Sequence, residues 1–202
     1  MANEFDDDPG VRWMRAWQAG DESAFDALVE AYSGQVYALL TRFLGPRANR
    51  EDLVQEVFLR VVRARERYEP SARFSTFLFR IAYNLSVNET QRGIAREAGR
   101  VELGGADHAR SPGGMGELAD ERAPRPDEAL ERDDVVREVR AAIGRLPENQ
   151  RMALLLAKYE ELPYSEIAEV LGSSEKAVKS LIHRARESLR ETLAAYLEEE
   201  DA

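Results

Sequence analysis

Five polar residues at helical spacing mark the part of this 202-residue chain best equipped to do chemistry. Lys176, Lys179, Ser180, His183 and Arg184 stand at i, i+3, i+4, i+7 and i+8, so a helix places them on one face. The cations suit phosphates, while hydroxyl, imidazole and guanidinium groups can donate to base edges. Val178, Leu181, Ile182, Ala185 and Leu189 recur on the other side at the spacing of a buried stripe. Ser174 is a good N-cap, and Glu175 lies beside the positive helix end. A basic helix alone is as often an ordinary solvated surface. The preceding unit decides. Ile167-Ala168-x-x-Leu171-Gly172 supplies an apolar face, a small residue where helices would cross, and a glycine free to turn left-handed. That is the layout of a helix-turn-helix, whose second helix enters the DNA major groove.

A second constellation lies between Arg73 and Asn84. Four aromatics (Phe74, Phe77, Phe79, Tyr83), Arg73, Arg80 and an amide fall within twelve residues. Aromatics interleaved with arginines suit unpaired nucleic acid, because rings stack on exposed bases and guanidinium groups hold phosphates. The Asn84 amide can pair with the edge of a flipped base. Aromatics at helical spacing also build cores, so about half of these rings, Phe74 and Phe77 among them, are expected to be buried.

The elements that must position these groups read as helices throughout. Asp21 caps a helix carrying Phe25, Leu28, Val29, Tyr32, Val36, Tyr37, Leu40 and Phe43, and Gly45-Pro46 ends it. Asn49 with Asp52 resembles a capping box opening a second helix to about Tyr68, with a core stripe of Leu53, Val54, Val57, Phe58, Val61 and Val62. A loop at 69–72 leads to a third helix from about Ser75 to Arg92. Trp13 and Trp17, one turn apart, are expected to pack into the same core. Residues 93–126 hold 7 of the 13 glycines and 3 of the 8 prolines without sustained apolar periodicity, and read as a flexible linker. As a coil it would span about 30–35 Å, and at most roughly 110–120 Å extended. The expected architecture is all-α: a helical domain at 1–92, the linker, and a helix-turn-helix domain at 127–202 ending in an acidic tail.

Composition narrows the chemistry. The chain has no cysteine, which excludes disulfides, thiolate zinc sites and cysteine nucleophiles. No apolar run is long enough to span a bilayer, and Asp6-Asp7-Asp8 reads as an acidic disordered tail, neither a signal peptide nor a metal site. A soluble, intracellular protein is expected. The formal net charge is −10, yet residues 57–100 carry +5 and 173–190 carry +3, while 1–56 carry −6 and 191–202 carry −5. Two basic islands among acidic blocks restrict where a polyanion can dock. No cofactor motif, nucleophile with a base, or paired catalytic carboxylates can be assembled, so an enzyme is not expected.

Asp52-Leu-Val-Gln-Glu-Val-Phe58, Phe74-Ser-Thr-Phe-Leu-Phe-Arg-Ile-Ala-Tyr-Asn84, Leu146-Pro-Glu-Asn-Gln-Arg151 and the helix-turn-helix occur in that order. Together they closely resemble the extracytoplasmic-function group of bacterial sigma factors, from about Asp21 to Leu193 apart from the linker. The resemblance implies a cytoplasmic specificity subunit of RNA polymerase without cofactors or membrane insertion. It implies that Asp52, Gln55 and Glu56, on the outer face of the second helix, dock on core polymerase. Tyr68, Arg73, Arg80, Asn84 and Asn88 would hold the melted −10 strand, with a base captured between Asn84 and the 68–73 loop. Lys176, Lys179, Ser180, His183 and Arg184 would read the −35 duplex, and an anti-sigma factor would sequester the chain. Three positions depart from the family pattern. Phe77 stands where Trp is common, Leu181 where Arg is common, and Pro163 where Ser commonly caps the first helix of the motif. Two other readings of the residues stay open: a dimeric helix-turn-helix repressor or activator, and a helical adaptor that contacts polymerase or RNA only.

Overall fold

The computed structural model describes residues 5–45, 50–102 and 126–200, with the backbone alone described at 94–102, 126–133 and 195–200. Its regular elements are α1 (Pro9–Gln18), α2 (Ser23–Leu44), α3 (Arg50–Ala64), α4 (Phe74–Glu102), α5 (Pro126–Arg145), α6 (Glu148–Tyr159), α7 (Tyr164–Leu171) and α8 (Glu175–Glu200), plus a 3-10 turn at Arg65–Arg67. The all-α expectation holds. In the first half, α2 is the centre on which α1, α3 and α4 pack; in the second, α6, α7 and α8 pack on one another and α5 lies on α8.

The acidic start of the chain is ordered where a disordered tail was expected. Asp8 caps α1, its carboxylate accepting from Val11 N at 2.9 Å, with Pro9 following in the first turn. Asp6 pairs with Arg15 at 2.5 Å. Asp8 also accepts from Phe74 N at 3.4 Å, so one carboxylate meets the starts of α1 and α4. Gly10 makes this approach possible: a Cβ there would lie 2.6 Å from both Phe74 Cβ and the Tyr32 hydroxyl. Trp17 is buried as expected, stacked on Phe25 with ring centroids 4.5 Å apart, and its indole donates to Glu22 at 2.9 Å. Trp13 is half-buried against the same core.

Asp21 acts at the start of α2 by accepting from both the backbone N (3.1 Å) and the hydroxyl (2.6 Å) of Ser23. Gly45 ends α2 at φ 70. Half of the residues in the expected stripes are buried and most of the rest half-buried, but Tyr37 and Val62 are 37% and 41% exposed. The faces of α2 and α3 that meet their neighbours are narrower than the apolar pattern suggested, and Leu39 and Leu44 supply burial the pattern did not assign. The Asn49 capping box lies outside the described residues. The third helix is longer than expected. It starts at Phe74 and runs past Arg92 to Glu102, ten residues into the stretch read as linker. Gly93 lowers helix propensity by about 1 kcal/mol without blocking a helix, and Ile94-Ala95-Arg96-Glu97-Ala98 carries it on. Of the rest of that stretch, residues 103–125 lie outside the described residues and Pro126 opens α5.

The two halves touch. α4 lies against α7, and α2 against α6 and α5, so that the buried apolar residues form one cluster running from Val11 to Ile182. Arg151 ties the joint. Its guanidinium donates to the carbonyl oxygens of Phe43 (2.8 Å), Gly144 (2.5 Å) and Leu146 (2.9 Å), and lies over the Phe43 ring.

Candidate nucleic-acid interface

The second half forms a helix-turn-helix from α7 and α8. Pro163 precedes α7 with extended backbone and its carbonyl accepts from Ile167 N at 3.1 Å, so the helix forms without a side-chain cap. α7 ends at Gly172, which is left-handed at φ 59, ψ 41. Ser173 N reaches Ala168 O at 2.9 Å and Gly172 N reaches Glu169 O at 3.3 Å, satisfying carbonyls the helix end would otherwise leave open. The Ser174 hydroxyl then accepts from Ala177 N at 3.2 Å and starts α8. Ile167, Ala168, Val178, Ile182 and Ala185 are buried, with Leu181 and Leu189 half-buried. On the opposite face Lys176, Lys179, Ser180, His183 and Arg184 are all exposed. Leu181 packs against the core and adds no polar group to that face. His183 Nε2 lies 3.4 Å from Glu187, an ion pair when the imidazole is protonated.

The α4 face is built differently. Phe74 and Phe79 are buried, while Phe77 and Tyr83 are half-buried. Half of the rings are therefore in the core, as expected, but Phe79 takes the place foreseen for Phe77. Tyr68, counted among the strand-binding residues, is only 8% exposed, its ring edge-on to Phe74 and Phe77. It supports the loop from beneath and cannot stack on a base without leaving that cluster. Burial first, and the Asp8 charge second, push the Tyr32 hydroxyl up to about 12 and raise that of Tyr68 as well. Arg73, Arg80, Asn84 and Asn88 are exposed along α4 and its entry loop. The loop is held from behind by Gln18, whose amide donates to Tyr68 O at 3.0 Å and Arg65 O at 2.6 Å. Arg65 in turn lies over the Trp17 ring and pairs with Glu22 at 2.9 Å. Hydrogen bonds from Trp17 and then Arg65 hold the Glu22 carboxyl below its usual range.

On α3, Asp52 and Gln55 are exposed and Glu56 is half-buried. Glu56 is occupied by its own helix: Arg60 Nε lies at 3.0 Å and Arg63 at 3.4 Å. The Arg60 hydrogen bond chiefly, with Arg63 behind it, lowers the Glu56 carboxyl. Leu59 and Val62, 49% and 41% exposed, continue the Asp52–Gln55 ridge at i+7 and i+10. The ridge is thus half apolar, which the sequence reading missed by treating Val62 as core and passing over Leu59. Asp8 and Gln18 were also missed, although Asp-Pro is a recognisable helix start. Among the described residues no group of three or more His, Cys, Asp or Glu side chains could hold a metal ion, and no helix is long and apolar enough to cross a membrane.

Known proteins share this arrangement. Residues 28–93 match the family described as Sigma-70 region 2, and residues 136–189 match Sigma-70, region 4. The chain is 33% identical over 183 residues to the RNA polymerase sigma-H factor of Pseudomonas aeruginosa, covering 90% of this chain and 92% of that protein. It is 32% identical over 173 residues to the ECF RNA polymerase sigma-E factor of Escherichia coli K12, covering 85% and 87%. The fold is similar to the sigma factor RpoE of Bartonella quintana, solved with the anti-sigma factor NepR, with a TM-score of 0.60 at 21% identity over 84% of this chain and 96% of that one. With both sigma regions in order and relatives matched across nearly their whole length, the chain belongs to the extracytoplasmic-function group of RNA polymerase sigma factors.

Proposed function

We propose that this sigma factor works in the cytoplasm as a dissociable specificity subunit, with its three exposed faces divided among three tasks. The α3 ridge of Asp52, Gln55 and Glu56, extended by Leu59 and Val62, docks on core polymerase. An exposed face that is part polar and part apolar suits a protein partner. The −35 duplex is read by Lys176, Lys179, Ser180, His183 and Arg184. The melted −10 strand is held by Arg73, Arg80, Asn84 and Asn88, with Tyr68 shaping the loop from within. Opening is driven by capturing a flipped base and the strand beside it. The polymerase performs the chemistry, and this chain is not an enzyme.

The observation that carries this reading is the pairing of two exposed polar faces, on α4 and α8, in two helical units that match the two sigma regions in order. By likeness to relatives solved with anti-sigma factors, such a protein is the expected inhibitor of this chain. The test is to add the purified chain to bacterial core polymerase and genomic promoter fragments. Transcripts starting at discrete sites only when the chain is present are the expected result. A chain that neither binds core nor starts transcripts, yet shifts duplex DNA alone, would move the assignment to a repressor or activator.

A further inference from the structure

The loop at 68–73 hangs at both ends from α1, a helix that precedes the residues matching Sigma-70 region 2. At the loop's entry, the Gln18 amide donates to Arg65 O at 2.6 Å and to Tyr68 O at 3.0 Å. Arg65 strengthens that end, its guanidinium donating to Trp17 O and lying 4.5 Å from the centre of the Trp17 ring. At the exit, the Asp8 carboxylate accepts from Phe74 N at 3.4 Å while capping α1 through Val11 N. Gly10 lies against the same exit, where an added Cβ would meet Phe74 Cβ at 2.6 Å. Asp8 and Gln18 are ten residues apart, so the helix between them sets the two anchor points about 15 Å apart. The chain from Arg65 to Phe74 could stretch to roughly 30 Å. Part of that slack goes into the 3-10 turn at Arg65–Arg67, and the rest arches as the loop.

We propose that α1 is a brace setting the span of this loop, and that Asp8 and Gln18 are positioning residues for base selection in the −10 strand. This deepens the assignment of α4 and its entry loop to that strand, and rests on it. A pocket tells one base from another by the distance between its walls and its donors. Such a site needs supporting contacts that hold it to a fraction of an ångström. On the present assignment one wall is the loop and the other is Asn84 on α4. α1 is tied both to the loop and to the first residue of α4, so it fixes one wall relative to the other. Gln18 acts through backbone carbonyls and therefore holds the path of the loop whatever side chains the loop carries. Neither Gln18 nor Asp8 has to touch the base. Releasing either anchor lets the slack redistribute and changes the arch without removing a single base contact. Base preference then relaxes, while the face that docks on polymerase and the face that reads the −35 duplex are left as they were.

The test is base discrimination by the holoenzyme. On a promoter found by the transcription assay, each −10 position is changed to all four bases and the rates of open-complex formation are compared. The captured position is the one at which Asn84→Ala abolishes the ratio between best and worst base. Gln18→Ala removes both donors from an exposed position and should lower that ratio about tenfold. The other −10 positions, core association and −35 discrimination should keep wild-type values. Gln18→Lys restores donors for the same carbonyls and should stay within about twofold of wild type, since its added charge favours all four bases alike. Asp8→Ala should relax the same position, and Asp8→Asn, which keeps an acceptor for Phe74 N and Val11 N, should restore it. Full discrimination in Gln18→Ala, or equal loss in Gln18→Ala and Gln18→Lys, would overturn the brace. A loss spread evenly over every −10 position and core association would overturn it too, because Gln18 would then serve the fold at large. Asn84→Ala leaving every position unchanged would instead overturn the −10 assignment, and the brace with it.

Discussion

The α8 face and the α4 face both carry cations and amide or hydroxyl donors on a helix, yet they are built on opposite plans. On α8 the reading face projects from a helix whose apolar side packs on its own unit, and among the described residues it is left exposed. On α4 the aromatics that would suit stacked bases are shared with the core, and part of the polar face is engaged by the other half of the chain. A duplex reader needs only a rigid helix that fits a groove. On the proposed assignment, a strand trap needs depth behind the helix, which Tyr68, Phe74 and Phe77 would supply under a loop fixed by Gln18 and Asp8. Depth makes α4 dependent on tertiary structure in a way that α8 is not.

Substitutions on each face should therefore separate two activities. The largest effect is expected from Asn84→Ala. Loss of a base-edge contact worth roughly 1–3 kcal/mol should cut promoter opening by about ten- to a hundredfold, read by permanganate reactivity of −10 thymines. Binding to the −35 duplex should stay at the parent level; a fall in both would show that the two faces are not independent. Arg184→Ala should do the reverse, reducing discrimination between intact and scrambled −35 duplexes by about tenfold while leaving opening on a pre-melted template intact. Equal activity on both duplexes would remove Arg184 from the reading face. Gln55→Lys with Glu56→Lys should weaken core association several-fold, measured by co-migration with core polymerase, and leave both DNA faces unaffected. Because Glu56 is already paired with Arg60 and Arg63, Leu59→Ala should weaken docking by a similar amount if the ridge binds as a unit.

The smallest effect concerns the joint. Burial raises the Glu160 carboxyl, and the Arg42 guanidinium at 3.8 Å opposes the rise only in part. A carboxyl raised on folding favours the folded state while protonated. Its contribution is full below the ordinary carboxylate range and is lost as pH rises through the raised value. Glu160→Gln should therefore raise Tm at neutral pH by about 2 °C and flatten the loss of stability above the carboxylate range, as thermal scans from pH 4 to 8 would show. A lower Tm at neutral pH would mean that the Arg42 pair outweighs the cost of burial.

Most of this architecture was legible because local signals and tertiary roles agree. Ser174, Gly172 and the 178–189 stripe specify a capped helix after a left-handed turn, and that is how they are arranged. Where the sequence reading missed, one pattern had two physical outcomes. Phe77 and Phe79 have the same apolar character, and only the direction in which α4 meets α2 and α3 decides which is fully buried. Val62 continues an apolar stripe but falls beyond the contact with the neighbouring helices. Asp8 was hidden in an acidic run whose charge suggested solvation, because its second partner is 66 residues away. The contact of Glu166 with Thr76 spans 90 residues and left no local trace.

Arg151 grips its neighbours through their backbone carbonyls, at Phe43, Gly144 and Leu146. The hydrogen bonds themselves read no side chain, although the guanidinium also lies over the Phe43 ring. Position 144, exposed and with open space around it, can exchange residues over generations without losing the grip, provided the chain keeps its path, whereas replacement of Arg151 releases three carbonyls at once. The joint is therefore an asymmetric mutational target: Arg151, Phe43 and Leu146 are held by burial and contact, while the exposed position 144 is free to drift.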